Sequence, residues 1–135
     1  RRVFCLTSDG DLNEGSTWEA IMFAAQEHLS NLIMIVDYNK IQALGYSKDI
    51  ENLEPLDEHL KIFGWNAVVI DGHDVDQIRS ALTNVPISSD RPTAIIANTV
   101  KCKGIDYLEN TVRSHYNFVP DDKIEEVIAK IKEGK

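Results

Sequence analysis

Thr7-Ser8-Asp9-Gly10-Asp11-Leu12-Asn13-Glu14-Gly15 is the stretch whose reading decides the fold. An apolar run, Val3 to Leu6, leads into it, and a candidate amphipathic helix, Ser16 to Leu29, leads out. A carboxylate on a glycine-flanked turn, after a strand and before a helix, is well placed to hold a metal and a phosphate. Thirty positions beyond Asp9, Asn39 ends a second apolar run, Leu32-Ile33-Met34-Ile35-Val36. A run that is apolar without alternation is the pattern of a parallel strand covered on both faces.

The intervening helix has its own signals. Ser16-Thr17-Trp18-Glu19 fits a capping box, a hydroxyl for the helix N-terminus with a glutamate three residues later. Ala20, Ile21, Phe23, Ala24, Ala25 and Leu29 then recur at helical spacing, and the helix is expected to stop near Ser30-Asn31. Asp37 to Asn52 is polar and irregular, the longest stretch without clear periodicity. Pro55 can open the next helix, where a missing N–H is harmless, with Leu56, Leu60 and Phe63 as its stripe and Gly64 as its end. Ala67 to Ile70 reads as a strand and Asp71-Gly72-His73 as a turn. Asp74 then caps a helix carrying Val75, Ile78 and Leu82. Pro92 to Ala97 is a fourth strand, and Lys101 to Val119 is loop-like. Asp121 is expected to cap a last helix with Ile124, Val127, Ile128 and Ile131 on one face, ended by Gly134.

Strands alternating with helices predict an α/β fold: an open, mostly parallel sheet with helices on both faces. Ligands of such sheets bind at the carboxyl ends of the strands. Asp9, Asn39, His73 and the Lys101 loop all follow strands and are therefore expected on one edge.

Bulk properties narrow the function classes. The 135 residues suit one domain, which can bury roughly two thirds of the surface its unfolded chain exposes. The net charge of -8, without a Lys/Arg block, argues against nucleic acid as a partner. No apolar run approaches the ~20 residues a membrane helix needs, and no signal peptide is visible. The chain begins Arg1-Arg2 rather than with Met, as expected of a piece of something longer or of a trimmed N-terminus. Cys5 and Cys102 leave a disulfide or two reduced thiols open; the reading favours thiols in a cytoplasmic protein, with Cys5 inside a buried strand.

On residue types alone, Asp9 and Asn39 offer a carboxylate and an amide oxygen, ligands suited to a hard cation that also holds phosphate and water. Gly10 would let a phosphate approach the backbone, and the following helix N-terminus would favour an anion. A polar turn and a strand-end asparagine with no ligand is the other reading. An EF-hand loop starting at Asp9 fails, since its sixth and twelfth positions are Glu14 and Ala20. No G-x-G-x-x-G dinucleotide fingerprint follows any strand.

Ser8-Asp9-Gly10-Asp11, Glu14-Gly15, Trp18-Glu19-Ala20 and Val36-Asp37-Tyr38-Asn39-Lys40-Ile41 together resemble the thiamin diphosphate motif, roughly G-D-G, some thirty residues, then N. The version here is similar to transketolases, especially the N-terminal subunit of two-chain forms. Leu53-Glu54-Pro55-Leu56, Phe63-Gly64-Trp65, Asp71-Gly72-His73-Asp74, Thr99-Val100-Lys101, Lys103-Gly104 and Glu109-Asn110 extend the resemblance from about Val3 to His115. There are three departures. Ser8 replaces the first glycine of G-D-G, Cys102 stands where relatives usually have glycine, and Tyr116-Asn117-Phe118-Val119 follows His115 where relatives commonly have glycine.

The resemblance implies a site, residue by residue. Asp9 and Asn39 would bind Mg²⁺ (or Ca²⁺) through side chains and Ile41 through its backbone oxygen. Asp9, Gly10, Asp11, Asn39 and Ile41 would form the cofactor-binding set, with Gly10 against the diphosphate. Glu14 would lie in a carboxylate cluster at a subunit interface, with a solvated loop acid as its other reading. Glu19 is either an interface residue or the capping-box partner. His115 matches a histidine that faces diphosphate and substrate, the catalytic candidate, with an idle loop histidine as its alternative. His73 reads as a turn residue, and Lys101 and Lys103 as a solvated basic loop, phosphate steering being their other role.

The implied protein is a thiamin diphosphate- and Mg-dependent transketolase component that moves a two-carbon ketol unit between sugar phosphates. Residues 1-135 would be the C-terminal part of a diphosphate-binding domain whose N-terminal portion lies outside the chain. The pyrimidine-binding partner domain or subunit would also lie outside it, in a homodimer or heterotetramer. A non-catalytic fragment or assembly module is the alternative from another class. A component of another thiamin enzyme, of 2-oxoacid dehydrogenase or deoxyxylulose-phosphate synthase type, is the third.

Overall fold

The computed structural model describes residues 1–133. Four strands, β1 (Val3–Ser8), β2 (Leu32–Tyr38), β5 (Asn66–Asp71) and β6 (Thr93–Asn98), form one sheet in the order β1-β2-β6-β5. Every pairing is parallel. The register is continuous: Ser8 pairs with Asp37, Asp37 with Ala97, and Asp71 with Asn98. The carboxyl ends of all four strands therefore finish at one edge, as the sequence pattern predicts.

Helices cover both faces. On one, α1 (Gly15–Gln26) and α3 (Leu56–Ile62) bring Ile21, Ala24, Leu56 and Leu60 against Met34 and Ile96 of the sheet. Two indoles fix this layer: Trp65 Nε1 donates to the Ile21 carbonyl at 2.9 Å, and Trp18 Nε1 to that of Leu12 at 2.7 Å. Trp18 also packs against Phe63 with the rings tilted and their centroids 5.5 Å apart, joining α1 to the end of α3. On the other face, α4 (Val75–Thr83) supplies Ala81, which packs with Val85, Ile33 and Ile95. Asp74 caps α4 as expected, its carboxylate accepting from the N–H groups of Asp76 and Gln77.

Several expectations are corrected. β1 is not a buried strand. It is the sheet's edge, hydrogen-bonded only to β2, and Val3, Phe4, Cys5 and Leu6 are all exposed, Leu6 to 74%. Apolarity alone could not tell a covered strand from one whose cover is supplied by residues elsewhere. Both cysteines are free thiols, Cys5 exposed and Cys102 half-buried. The outer face of α1 is likewise open, with Phe23 62% exposed. The capping box does not form: α1 begins at Gly15, with Glu14 as N-cap and no side-chain bond there, and Glu19 is exposed. A 3-10 turn over Asp11–Asn13 occupies the loop instead, and Thr17 donates its hydroxyl to the Asp11 carbonyl at 2.7 Å. The helix stops at Gln26, short of Leu29. Pro55 is the N-cap of α3 rather than its first residue.

The irregular stretch after Asn39 is built. β3 (Ile41–Gln42) and β4 (Gly45–Tyr46) pair antiparallel, and a one-turn helix, α2 (Ser47–Ile50), follows. Two-residue strands are too short to show periodicity. Near the C-terminus, a 3-10 turn at Asp121–Lys123 precedes α5 (Ile124–Lys132), so Asp121 makes no side-chain cap. Of the four residues expected on the α5 apolar face, Val127 alone is buried. Gly134, expected to end α5, lies outside the described residues. Among the described residues no helix is long and apolar enough to cross a membrane.

Gly72 shows how tightly the sheet edge is packed. A Cβ there would run into the Thr99 methyl and come within 3.0 Å of the Asn98 carbonyl, the group that accepts the Gly72 N–H at 2.7 Å. Gly72→Ala is therefore expected to destabilise the fold by about 1–3 kcal/mol in denaturant melts. Gly15→Ala, where nothing lies within 4 Å, is expected to leave the midpoint unchanged or raised. Equal effects would show that the contact of the Asp71-Gly72-His73 turn with β6 is not what limits residue 72.

Candidate functional site

Asp9 is the residue immediately after β1, and its side chain has 0% exposure. Because Ser8 pairs with Asp37, Asp9 sits level with Tyr38, one residue before Asn39 on the neighbouring strand. Asn39 is 7% exposed. The two residues that the thirty-position spacing pairs in sequence are thus adjacent strand ends in space.

Asp9 has no ion-pair partner among the described residues. Its Oδ2 accepts from Ser47 Oγ at 2.6 Å and its Oδ1 from the Gly10 N–H at 3.1 Å, both neutral donors. A buried carboxylate carries a desolvation cost of several kcal/mol that neutral donors offset only in part. Asn39 Oδ1 accepts the Ile41 N–H at 3.1 Å, closing a turn whose middle residue, Lys40, has φ +66°. A lysine in the left-handed region costs roughly 1–2 kcal/mol, and such strain gathers at functional corners. The turn sets the Asn39 side chain and the Ile41 backbone at one corner beside Asp9. No group of three or more His, Cys, Asp or Glu among the described residues could hold a metal, so a cation here would rely on one carboxylate plus amide and carbonyl oxygens. That is a hard, oxygen-only donor set.

Gly10 has an ordinary φ of -62°, and a Cβ there would meet only Gln42 Cβ and Ser8 Oγ, each at 3.7 Å. Packing within the chain does not require glycine at this position, so the bare backbone suits something that approaches from outside. The anion field is a different matter. The N–H groups of Leu12 and Asn13 bond back to the Asp9 and Gly10 carbonyls, so the loop does not present a free helix N-terminus at Gly10. Asp11 is exposed, and its Oδ2 accepts from the Ser8 N–H at 2.8 Å and from Ser8 Oγ at 3.0 Å. Its carboxylate closes the turn. Ser8, the departure from glycine, is the residue that engages it.

The remaining candidates divide. His115 is exposed at the end of a 3-10 turn, Val112–His115, that packs on β3. Tyr116 lies edge-on to it with ring centroids 5.3 Å apart, and its hydroxyl donates to the Ala43 carbonyl at 2.6 Å. The loop after β6 is thus tied to the hairpin that follows Asn39. Glu14 and Glu19 are both exposed. His73 acts in its turn: its Nε2 accepts the Val100 N–H at 2.7 Å. Lys103 is exposed, and Lys101 is half-buried. Cys102 has φ +56°, a conformation glycine adopts freely.

Sequence reasoning missed four groups. Ser47, 1% exposed, holds Asp9 from within the stretch read only as irregular. Asp37 accepts a short hydrogen bond from Thr99 Oγ1, linking β2 to the end of β6. Asn13 Oδ1 accepts from Gln42 Nε2, while Asn13 Nδ2 is buried with no partner among the described residues. Tyr38 is buried, and that burial, with Glu54 and then Asp9 nearby, pushes its phenol above the ordinary range. A cleft of about 630 Å³ opens beside Asn39, between Lys40, His73, Asn98, Thr99 and Lys103.

If the Asp9 charge is the constraint, removing it should help the fold when no cation is present. Asp9→Asn in chelator is expected to raise unfolding free energy by about 1–3 kcal/mol, and Asn39→Asp, which adds a second charge, to lower it. A drop for Asp9→Asn would mean that its own loop solvates the carboxylate fully.

Comparisons with known proteins bear on the family and the fold. The family described as transketolase, thiamine diphosphate binding domain, matches residues 1–133. A 6-deoxy-6-sulfo-D-fructose transketolase subunit of Clostridium sp. (strain MSTE9) is 38% identical over 98% of the chain and 48% of its own length. An apulose-4-phosphate transketolase subunit of Actinobacillus succinogenes is 37% identical with the same two coverages. The crystal structure of transketolase from Campylobacter jejuni superposes with a TM-score of 0.83 at 35% identity, over 99% of this chain and 20% of that one. The chain therefore spans less than half the length of these relatives.

Proposed function

This chain belongs to the transketolase family, through its thiamine diphosphate-binding domain, and from that premise we propose that it carries the diphosphate-and-metal half of a transketolase active site. The observation that carries the reading is Asp9, a carboxylate with no exposure, bonded by neutral donors only, beside a buried amide oxygen. Asp9, Asn39 and the Ile41 carbonyl would hold Mg²⁺, or Ca²⁺, which accept oxygen ligands and keep positions for phosphate and water. Gly10 would lie against the diphosphate, and Asp11 would serve the site by closing the Gly10 turn on Ser8. The metal's role in this reading is to anchor the diphosphate.

The cofactor, once bound, supplies the nucleophilic carbon and the electron sink for carbon–carbon bond cleavage. This chain's part is positional. Asp9 and Asn39 fix the metal, the Lys40 corner keeps their oxygens convergent, and His115 is the residue we assign to the substrate side. The reaction is transfer of a two-carbon ketol unit between sugar phosphates.

We further infer that residues 1-135 are the C-terminal part of a diphosphate-binding domain and act with a pyrimidine-binding subunit or domain, in a homodimer or heterotetramer. Two relatives are named as subunits, which supports a divided enzyme. The exposed apolar edge β1 and the open face of α1 support further protein on that side, since an unpaired apolar edge strand invites pairing. Glu14 and Glu19, both exposed, are the carboxylates we assign to the subunit interface.

Calorimetry tests the reading. Titration of thiamin diphosphate with Mg²⁺ into the protein together with its pyrimidine-binding partner is expected to give saturable heat, and Asp9→Ala is expected to abolish it. Absence of heat from folded protein would remove the cofactor assignment. Full-strength binding by Asp9→Ala would remove the metal assignment alone. Product analysis with sugar phosphates and with 2-oxoacids separates ketol transfer from the other thiamin chemistries.

A further inference from the structure

We infer that Ser47 is a positioning residue for the metal-binding carboxylate. The inference rests on the assignment of Asp9 as a metal ligand. Its own evidence is the geometry around Ser47.

Ser47 is the first residue of α2, 38 positions from Asp9 in sequence and 1% exposed. Two bonds hold it. Its hydroxyl donates to Asp9 Oδ2 at 2.6 Å, within the range of a charge-assisted hydrogen bond, and its backbone N–H donates to the Lys40 carbonyl at 3.0 Å. Lys40 is the left-handed residue between Asn39 and Ile41. One serine thus joins both parts of the proposed donor set, the carboxylate after β1 by its side chain and the Asn39–Ile41 corner by its backbone.

The two Asp9 oxygens are not equivalent as a result. Oδ2 carries the short bond from Ser47, whereas Oδ1 has only the Gly10 N–H of its own loop, at 3.1 Å. Each oxygen accepts one hydrogen bond, and Oδ1, which carries the longer one, is the oxygen we assign to a cation. Ser47 donates its proton toward Asp9 Oδ2, and its role in this inference is to orient that carboxylate rather than to bind the metal itself. Losing the hydroxyl would leave Oδ2 buried without a donor and free the carboxylate to turn. Partners that orient a metal ligand in this way typically account for about 10–100-fold in metal affinity.

The test uses the full protein with its pyrimidine-binding partner, and Mn²⁺ as the probe, read by its electron paramagnetic resonance at saturating thiamin diphosphate. Ser47→Ala is expected to weaken Mn²⁺ binding by about 10–100-fold and to broaden the bound signal. Ser47→Thr, which keeps the hydroxyl, is expected to return both toward the wild-type values. Ser47→Cys, near-isosteric with a weaker donor, is expected to fall between, and serves if the alanine variant does not fold. Melting without metal identifies the folded fraction in each case. A lowered melting temperature with unchanged Mn²⁺ affinity would overturn the inference and leave the metal site standing. So would a folded Thr variant as weak as Ala. Failure of the wild type to bind Mn²⁺ would remove the metal site, and the inference with it.

Discussion

Asp9 carries its carboxylate at a depth where water does not reach, and the segments around it are arranged to tolerate that charge. The parallel pairing of β1 with β2 sets its height, level with Tyr38. The hairpin of β3 and β4 carries the chain from the Asn39 corner back to Ser47, whose hydroxyl reaches the carboxylate. The loop after β6 is drawn onto the same hairpin by Tyr116 and, more loosely, by the Tyr46 hydroxyl, 3.4 Å from the Asn110 carbonyl. Hydrogen bonds from neutral donors offset part of the desolvation cost. In the proposed reading a cation would offset more of it, and metal binding and local stability would then become the same free energy.

Several residues of the recognisable motifs turn out to be packing residues. Trp18 and Phe63 meet ring to ring, and Trp65 ties α1 to the sheet through the Ile21 carbonyl. The indole hydrogen bonds go to the backbone carbonyls of Leu12 and Ile21, not to Asp9 or Asn39. Their value is to hold α1 and α3 on one face, so that the turn between β1 and α1 has a fixed exit. A motif spread over many residues mixes chemistry with scaffolding in this way, and only the geometry separates them.

The architecture was legible because long apolar runs and helical spacing are long-range signals. The runs 32–36 and 92–97 became the two central strands, and the Asp74 cap formed where predicted. Asp9 and Asn39, joined by their spacing in the sequence, lie buried at the ends of neighbouring strands. What stayed hidden was of two kinds. Short elements such as β3, β4 and α2 contain too few residues for any period to register, and Ser47 fell among them. Exposure was hidden for the opposite reason. Val3 to Leu6 has the composition of a covered strand, and composition does not say which residues provide the cover. The capping box misled because Glu14, two residues nearer the turn than Ser16, took the N-cap position with extended backbone angles.

The three departures from the family pattern differ in what they do. Cys102 keeps a left-handed backbone that glycine would adopt more cheaply, so it preserves the loop at a local cost. Ser8 adds a hydroxyl bond to Asp11 beside the one its backbone N–H makes, and stiffens the turn that holds Gly10. Tyr116, where the family resemblance implies glycine, lies edge-on to His115 and bonds to the Ala43 carbonyl. Two of the three thus add a constraint to the same corner, one on each side of it. Preorganisation of this kind restricts how far the Gly10 turn and His115 can move when a ligand arrives, and it lowers the ordering entropy that binding must overcome. In the proposed reading, the stiffened corner would hold the diphosphate and its metal, and the apolar, open edge would face the protein that completes the site.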